Sequence, residues 1–175
     1  MRLPFSFWGI AILLVTAVSC TKEKPYADDP GENPAAEQKP DVSYNVNVGV
    51  MLDMVNKVRV AGCVCGATVM PSVPALTWNE QLAKAAFGHS DDMNVADYFS
   101  HTGTGNTTPG ERIKSAGYNW RTYGENIALG QTTEQMVMES WLKSEGHCKN
   151  IMGKNFKEIG VGRSGNYWTQ VFAAK

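Results

Sequence analysis

The chain holds 175 residues, with 16 Lys and Arg against 17 Asp and Glu, for a net charge of −1 at neutral pH. A near-neutral balance with no Lys/Arg cluster gives no electrostatic footprint for nucleic acid, so that class of function is excluded. Three histidines and four cysteines are few enough that each can be followed individually.

At the N-terminus, Arg2 precedes an apolar stretch from Phe5 to Val18, interrupted by Ser6, Gly9 and Thr16. The run is shorter than the roughly 20 apolar residues that span a bilayer and reads as a signal peptide over residues 1–19. Ala17-Val18-Ser19-Cys20 resembles the lipobox of bacterial lipoproteins, which implies acylation of Cys20 and attachment to a membrane through the acyl chains. An ordinary cleaved peptide is the alternative. Thr21 is not the aspartate that retains some lipoproteins in an inner membrane, so the expected location is the cell envelope, at an outer membrane or the cell surface. Residues 20–45 carry half of the prolines (Pro25, Pro30, Pro34, Pro40) and scarcely any large apolar side chain, a composition that cannot offset the entropy of ordering and reads as a tether.

The remaining residues, 46–175, suffice for one domain, expected to be monomeric. Apolar positions Val50, Met51, Met54, Val55 and Val58 predict a helix over 46–60 stopped by Gly62. A second helix is predicted from Thr77, paired with Glu80 as a capping box, with Leu82, Ala86, His89 and Met93 on one face. A third spans Pro109–Ala116, opened by a Thr108/Glu111 capping box and stopped by Gly117. A fourth starts near Thr132 and ends at Gly146. The period then changes: 159–162 and 167–172 read as strands joined by Ser164-Gly165-Asn166, and Ile127-Ala128 as part of a third. The fold class expected is α/β (α+β), with helices covering a small, largely antiparallel sheet.

His89-Ser90-Asp91-Asp92-Met93, Tyr98-Phe99-Ser100-His101, Gly124-Glu125-Asn126-Ile127-Ala128, Ser144-Glu145-Gly146-His147, Asn150-Ile151-Met152, Ile159-Gly160-Val161-Gly162 and Tyr167-Trp168-Thr169-Gln170-Val171-Phe172 occur in one order. Together they resemble the bacterial branch of the CAP superfamily of cysteine-rich secretory proteins, antigen five and pathogenesis-related proteins. The resemblance covers about 48–173 and implies a three-layer α-β-α sandwich with a surface cleft. It also implies a cleft tetrad of two histidines and two acids. His101 matches the first histidine and Glu125 the first acid. At the second acid's position stands Ser144, with Glu145 beside it, and at the second histidine's stands Tyr167. His147 is placed to approach the same cleft from another side.

A histidine beside a carboxylate can serve as a base, as a metal ligand or as a hydrogen-bonding pair. No cofactor is required by the sequence. Zinc is the one candidate, with His101 and His147 as ligands, and Ser144 is the only nucleophile at a matching position. The leading expectation is a non-enzymatic binding module for a small ligand, a lipid or an envelope partner protein. The alternative is a hydrolase of peptide, lipid or cell-wall material using His101 and Glu125. His89, on an apolar helix face, reads as a packed histidine with one satisfied nitrogen, Trp78, Trp141 and Trp168 as core anchors, and Asn126 and Asn150 as ties to loop backbone.

Cys63 and Cys65 lie too close in sequence for an unstrained mutual bridge, so Cys63 or Cys65 is expected to pair with Cys148. In the chain-entropy view closing so long a loop stabilises the fold by about 4 to 5 kcal/mol. A metal site from Cys63, Cys65, Cys148 and His147 is the alternative, with tighter spacing than the usual Cys-x-x-Cys.

Overall fold

The computed structural model describes residues 42–175, so the signal peptide, Cys20 and most of the tether lie outside the described residues. Within them the chain runs β1 (Val42–Ser43), β2 (Val46–Asn47), α1 (Val48–Ala61), β3 (Cys63–Cys65), β4 (Thr68–Met70), β5 (Thr77–Trp78), α2 (Glu80–Ala96), α3 (Pro109–Ser115), β6 (Thr122–Leu129), α4 (Glu134–Lys143), α5 (Glu145–Ile151), β7 (Glu158–Ser164) and β8 (Tyr167–Ala174). A 3-10 turn, Thr104–Asn106, precedes α3.

The central sheet has the order β5-β7-β8-β6, with β6-β8 and β7-β8 antiparallel and the short β5 parallel to β7. Strand periodicity divides its side chains between two helical layers. Ile159, Val161, Trp168 and Phe172 face a core closed by Met51 and Val55 of α1, Val137 and Trp141 of α4, and Cys148 and Ile151 of α5. Val171 and Ala173 face Leu82, Ala85 and Ala86 of α2 and Ile113 of α3. The arrangement is the α-β-α sandwich expected from the sequence.

On the α2 side, β7 presents glycines. A Cβ on Gly160 would lie 2.0 Å from the Ala83 amide nitrogen, and one on Gly162 would lie 2.3 Å from the Phe87 backbone. The helix answers with small residues, Ala83, Ala86 and Ser90, and the Ser90 hydroxyl bonds the Gly162 carbonyl at 3.0 Å and the Thr169 hydroxyl at 2.9 Å. The helix backbone therefore lies almost against the sheet, and the loop that leaves its C-terminus inherits a rigid base.

Several boundaries differ from the sequence reading. Residues 42–45 are not tether: they complete a β1-β2 hairpin, the Tyr44 ring packs on Phe87 with centroids 5.6 Å apart, and the Tyr44 carbonyl accepts the Arg163 amide. Helix α1 starts two residues late because Asn47 caps it, accepting from Val50 N. For α2 the cap is Asn79, whose Oδ1 accepts from Gln81 N and Leu82 N, whereas Thr77 is spent in β5 pairing with Glu158. The α3 capping box forms as predicted, with Glu111 Oε2 accepting from Thr108 N at 2.8 Å. The fourth helix does not run to Gly146. It breaks at Ser144, whose extended backbone (φ −89°, ψ 121°) starts α5, and Gly146 lies inside that second helix.

Cys65 is the partner of Cys148, and Cys63 keeps a free thiol. Arg59 is a buried tie that the sequence reading did not single out. Its guanidinium donates to the carbonyls of Pro74, Ile151 and Gly153, fastening α1 to the end of α5.

Gly162→Ala is expected to cost about 3 kcal/mol or more, since backbone rather than a mobile side chain meets the new methyl. Gly88→Ala, on the open side of α2 with nothing within 4 Å, is expected to gain up to about 1 kcal/mol. Urea denaturation of the two variants checks the pair; equal effects would mean that α2 does not lie against the glycines.

Candidate functional site

The β6 strand is an outer strand of the central sheet, so both helical layers meet around it. Alternate residues of β6 point to opposite layers. Glu125 lies opposite Val171 and faces the α2 layer, whereas Asn126 lies opposite Gln170 and faces α5.

The Glu125 carboxylate is almost completely covered, with 3% of its side chain exposed, and both of its oxygens are engaged. His101 Nδ1 lies 2.8 Å from Oε1, and an Arg112 nitrogen lies 2.7 Å from Oε2. Because a carboxylate only accepts, the proton of this bond sits on His101 Nδ1, and the lone pair of the neutral ring is on Nε2. That ring is half-exposed, so Nε2 is the atom offered to a visitor. Arg112 comes from α3 and also donates to the carbonyls of His101 (3.0 Å) and Thr107 (2.9 Å), so one guanidinium holds both the acid and the loop. The sequence reading did not name Arg112. Its signal was available: a basic residue one position after the capping-box glutamate, on a helix too short to serve mainly as packing.

The loop carrying His101 is pinned to α2 at both ends. His89, fully buried, donates from Nε2 to the Ser100 carbonyl at 2.9 Å and sits 4.0 Å from Glu125 Oε1. Asp92 accepts from the Tyr98 hydroxyl and from both the amide and the hydroxyl of Thr104. Burial resists ionisation of Asp92, but these donors outweigh it and keep the carboxyl below its usual range. Burial and the neighbouring Asp92 carboxylate push the Tyr98 phenol up to about 12.

His147 arrives from α5. Burial lowers its pKa, and the positive charge that His101 can carry lowers it further. Asn126 Nδ2 donates to the His147 carbonyl at 3.2 Å, and Asn150 Nδ2 donates to the Glu125 carbonyl at 3.1 Å, so the two asparagines fix the backbone under the site. Trp141 and Trp168 are fully buried, and Trp78 is partly buried against the same core.

Three candidates fall outside this cluster. Glu145 turns to Thr68 Oγ1 (3.3 Å) and Lys149 Nζ (2.6 Å), because the first turn of α5 faces the β3-β4 hairpin. Tyr167 stands opposite Leu129, four residues along β8 from Val171, and its hydroxyl donates to Asp97. Ser144 lies at the α4-α5 break, and among the described residues its hydroxyl bonds neither His101 nor His147. Nor do the described residues bring three His, Cys, Asp or Glu ligand atoms together around His101 and His147; the one such trio is Cys63, Cys65 and Cys148. With Glu125 committed on both oxygens, the residues around His101 do not fit the three or four protein ligands of a typical zinc site.

A three-layer sandwich with a histidine, carboxylate and arginine cluster at the sheet edge defines a secretory-type α-β-α domain. The chain belongs to the cysteine-rich secretory protein family (CAP), whose model matches residues 52–172. It is 46% identical over 99 residues to YkwD of Bacillus subtilis and 33% identical over 122 residues to the membrane protein YlbC of the same organism, covering 55% and 70% of this chain. The chain spans 38% and 33% of those two relatives. Among solved structures it is similar to an extracellular SCP-domain protein of Bacillus anthracis (33% identity, TM-score 0.64, 73% of this chain and 40% of that one). The fold is shared with an outer surface protein of Borrelia burgdorferi at 18% identity (TM-score 0.59, 73% of this chain and 91% of that one). No helix of the described residues is long and apolar enough to cross a membrane.

Burial lowers the pKa of His89 as well. The nearby Glu125 carboxylate raises it in part, Arg112 lowers it, and the buried Nδ1 has no partner to receive a proton from it. The folded domain thus binds these histidine protons more weakly than the unfolded chain. Stability is full above the ordinary histidine pKa of about 6.5 and falls below it, by at most about 1.4 kcal/mol per pH unit for each histidine. Urea denaturation at about pH 7 and about pH 5 is expected to show this loss, and His89→Gln is expected to flatten it. An unchanged slope in the variant would assign the pH dependence to other groups.

Proposed function

We propose that the protein is a lipid-anchored extracytoplasmic binding module whose cleft takes an envelope-derived ligand through His101 and His147 without turning it over. The observation that carries this reading is the double engagement of Glu125. A carboxylate bonded to an imidazole on one oxygen and to a guanidinium on the other orients its neighbours and has no free oxygen for proton transfer to a substrate. A serine-dependent hydrolase needs an activated nucleophile, and among the described residues the Ser144 hydroxyl bonds neither His101 nor His147. A half-exposed His101 Nε2 suits a ligand bearing hydroxyl or amide groups, the chemistry shared by glycan, muropeptide and lipid headgroups.

Incubating the folded protein with a muropeptide and lipid extract, then following retained and released species over time by mass spectrometry, tests this reading. One unmodified compound is expected to be retained, and to be lost with His101→Ala. Time-dependent products that vanish with the same substitution would replace it with the hydrolase reading.

Anchoring rests on the Arg2, apolar-run and Ala17-Val18-Ser19-Cys20 pattern, and it accords with relatives that are an extracellular protein and a membrane protein. Two or more acyl chains at Cys20 give stable attachment, and the proline-rich residues after it give the domain reach. In a bacterial host, wild-type protein is expected in the membrane fraction and labelled by an alkyne fatty acid, and Cys20→Ala is expected to lose both properties. Membrane retention of the unlabelled variant would point to anchoring by the uncleaved apolar segment.

A further inference from the structure

The three cysteines of the domain form a compact group on the side of the sheet occupied by α1, α4 and α5. Cys63 and Cys65 project from the same face of β3, two residues apart, and Cys148 comes from α5. All three sulfurs lie within 4.8 Å of one another. The bridge joins Cys65 and Cys148, yet the free Cys63 sulfur sits 3.7 Å from each of the two bridged sulfurs. A disulfide needs no third sulfur, and among the described residues Cys63 otherwise only packs against the edge of the core.

A tetrahedral centre with metal-sulfur bonds of about 2.3 Å sets its sulfurs about 3.8 Å apart. Two edges of the sulfur triangle already have this length. The third is closed by the covalent bond, and the Cα atoms of Cys65 and Cys148, 5.5 Å apart, allow it to open by side-chain rotation alone. Cys65 and Cys148 are buried in the apolar core, and the half-buried Cys63 leaves one side open for entry. Soft cations favour such thiolate surroundings over water.

We propose that, when the Cys65–Cys148 bridge is reduced, Cys63, Cys65 and Cys148 form a three-thiolate site for a soft divalent cation such as zinc or cadmium. The reductant is a dithiol: its two electrons and two protons cleave the S–S bond to two thiols, and the dithiol leaves as its own disulfide. The incoming cation then displaces the three thiol protons to solvent. In the oxidised state two ligands are locked in the bridge and the site does not exist. The three thiolates include none of the side chains assigned to the His101 site, although Cys148 directly follows His147 in α5.

The test uses the full chain carrying Cys20→Ala, so that the triangle holds its only cysteines. The reduced protein, freed of reductant anaerobically, is titrated with Cd2+ while the sulfur-to-cadmium charge-transfer absorption is followed. Metal retained after gel filtration is then counted, and circular dichroism reports the fold. Reduced protein is expected to hold one cadmium per chain with the absorption band, oxidised protein to show no band, and Cys63→Ser, which leaves the bridge intact, to lose stoichiometric binding on reduction. An absent band, an unaffected Cys63→Ser variant, equal binding by the oxidised protein, or unfolding on reduction each overturns the proposal.

Discussion

The cleft depends on one buried negative charge. Taking the Glu125 carboxylate out of water costs several kcal/mol unless its oxygens are answered, and the three groups around it come from separate stretches of chain. Arg112 requires α3, which has only seven residues and is held at its start by the Thr108/Glu111 capping box. His101 requires the loop after α2, and that loop is tied down by His89, Asp92 and Arg112 together. A helix that contributes little core thus earns its place by delivering a guanidinium, and local capping chemistry is converted into electrostatic order at the site.

The glycines of β7 supply the complementary constraint. Because α2 lies backbone-close on Gly160 and Gly162, its orientation is set by hard contact rather than by interdigitated long side chains, which can repack. His89, Asp92 and Met93 then occupy fixed heights above the sheet. On the opposite face, Arg59 attaches the C-terminal end of α5 to α1 and the Cys65–Cys148 bridge attaches its middle to β3, so His147 is also presented from a held element. His101 and His147 are therefore carried by two layers that meet around the β6 edge and are braced by separate contacts.

Much of the fold was legible in the sequence where the signal is local. The period of α1, the α3 capping box with its Gly117 stop, and the last two strands with their turn all depend on neighbours within a few residues. The errors arose where local signals compete or where the deciding partner is remote. Thr77 and Asn79 both stand before Glu80 as plausible caps, and only the pairing of β5 with β7 commits Thr77 elsewhere. The break at Ser144 carries no proline, and the glycine that suggested a stop, Gly146, is the second residue of the next helix. Tyr44, polar in its sequence surroundings, gains its place through the remote Phe87 ring and Arg163 amide. At the site, His101, Glu125 and His147 were recognisable by resemblance, but Glu145 and Tyr167 were misplaced. Sequence spacing gives their position along α5 and β8, not the hairpin and helix end that capture their polar atoms. Arg112 was missed because its importance lies in a charge 13 residues away.

The same contacts bear on what the cleft can do. In a histidine and acid pair built for proton transfer, the acid keeps a free oxygen or the histidine faces a nucleophile, and binding energy is directed at a changing charge. Here Arg112 neutralises Glu125 from behind, and the pair is left as a dipole that points His101 Nε2 outward. Burial favours a neutral His147. His101 Nε2, oriented through the Glu125 bond, can hydrogen-bond a ligand at little reorganisation cost, and the fixed loop that bears His101 keeps that cost low. The rigidity supplied by the glycine floor and the arginine clamp is what the proposed binding reading relies on to hold His101 ready for a ligand.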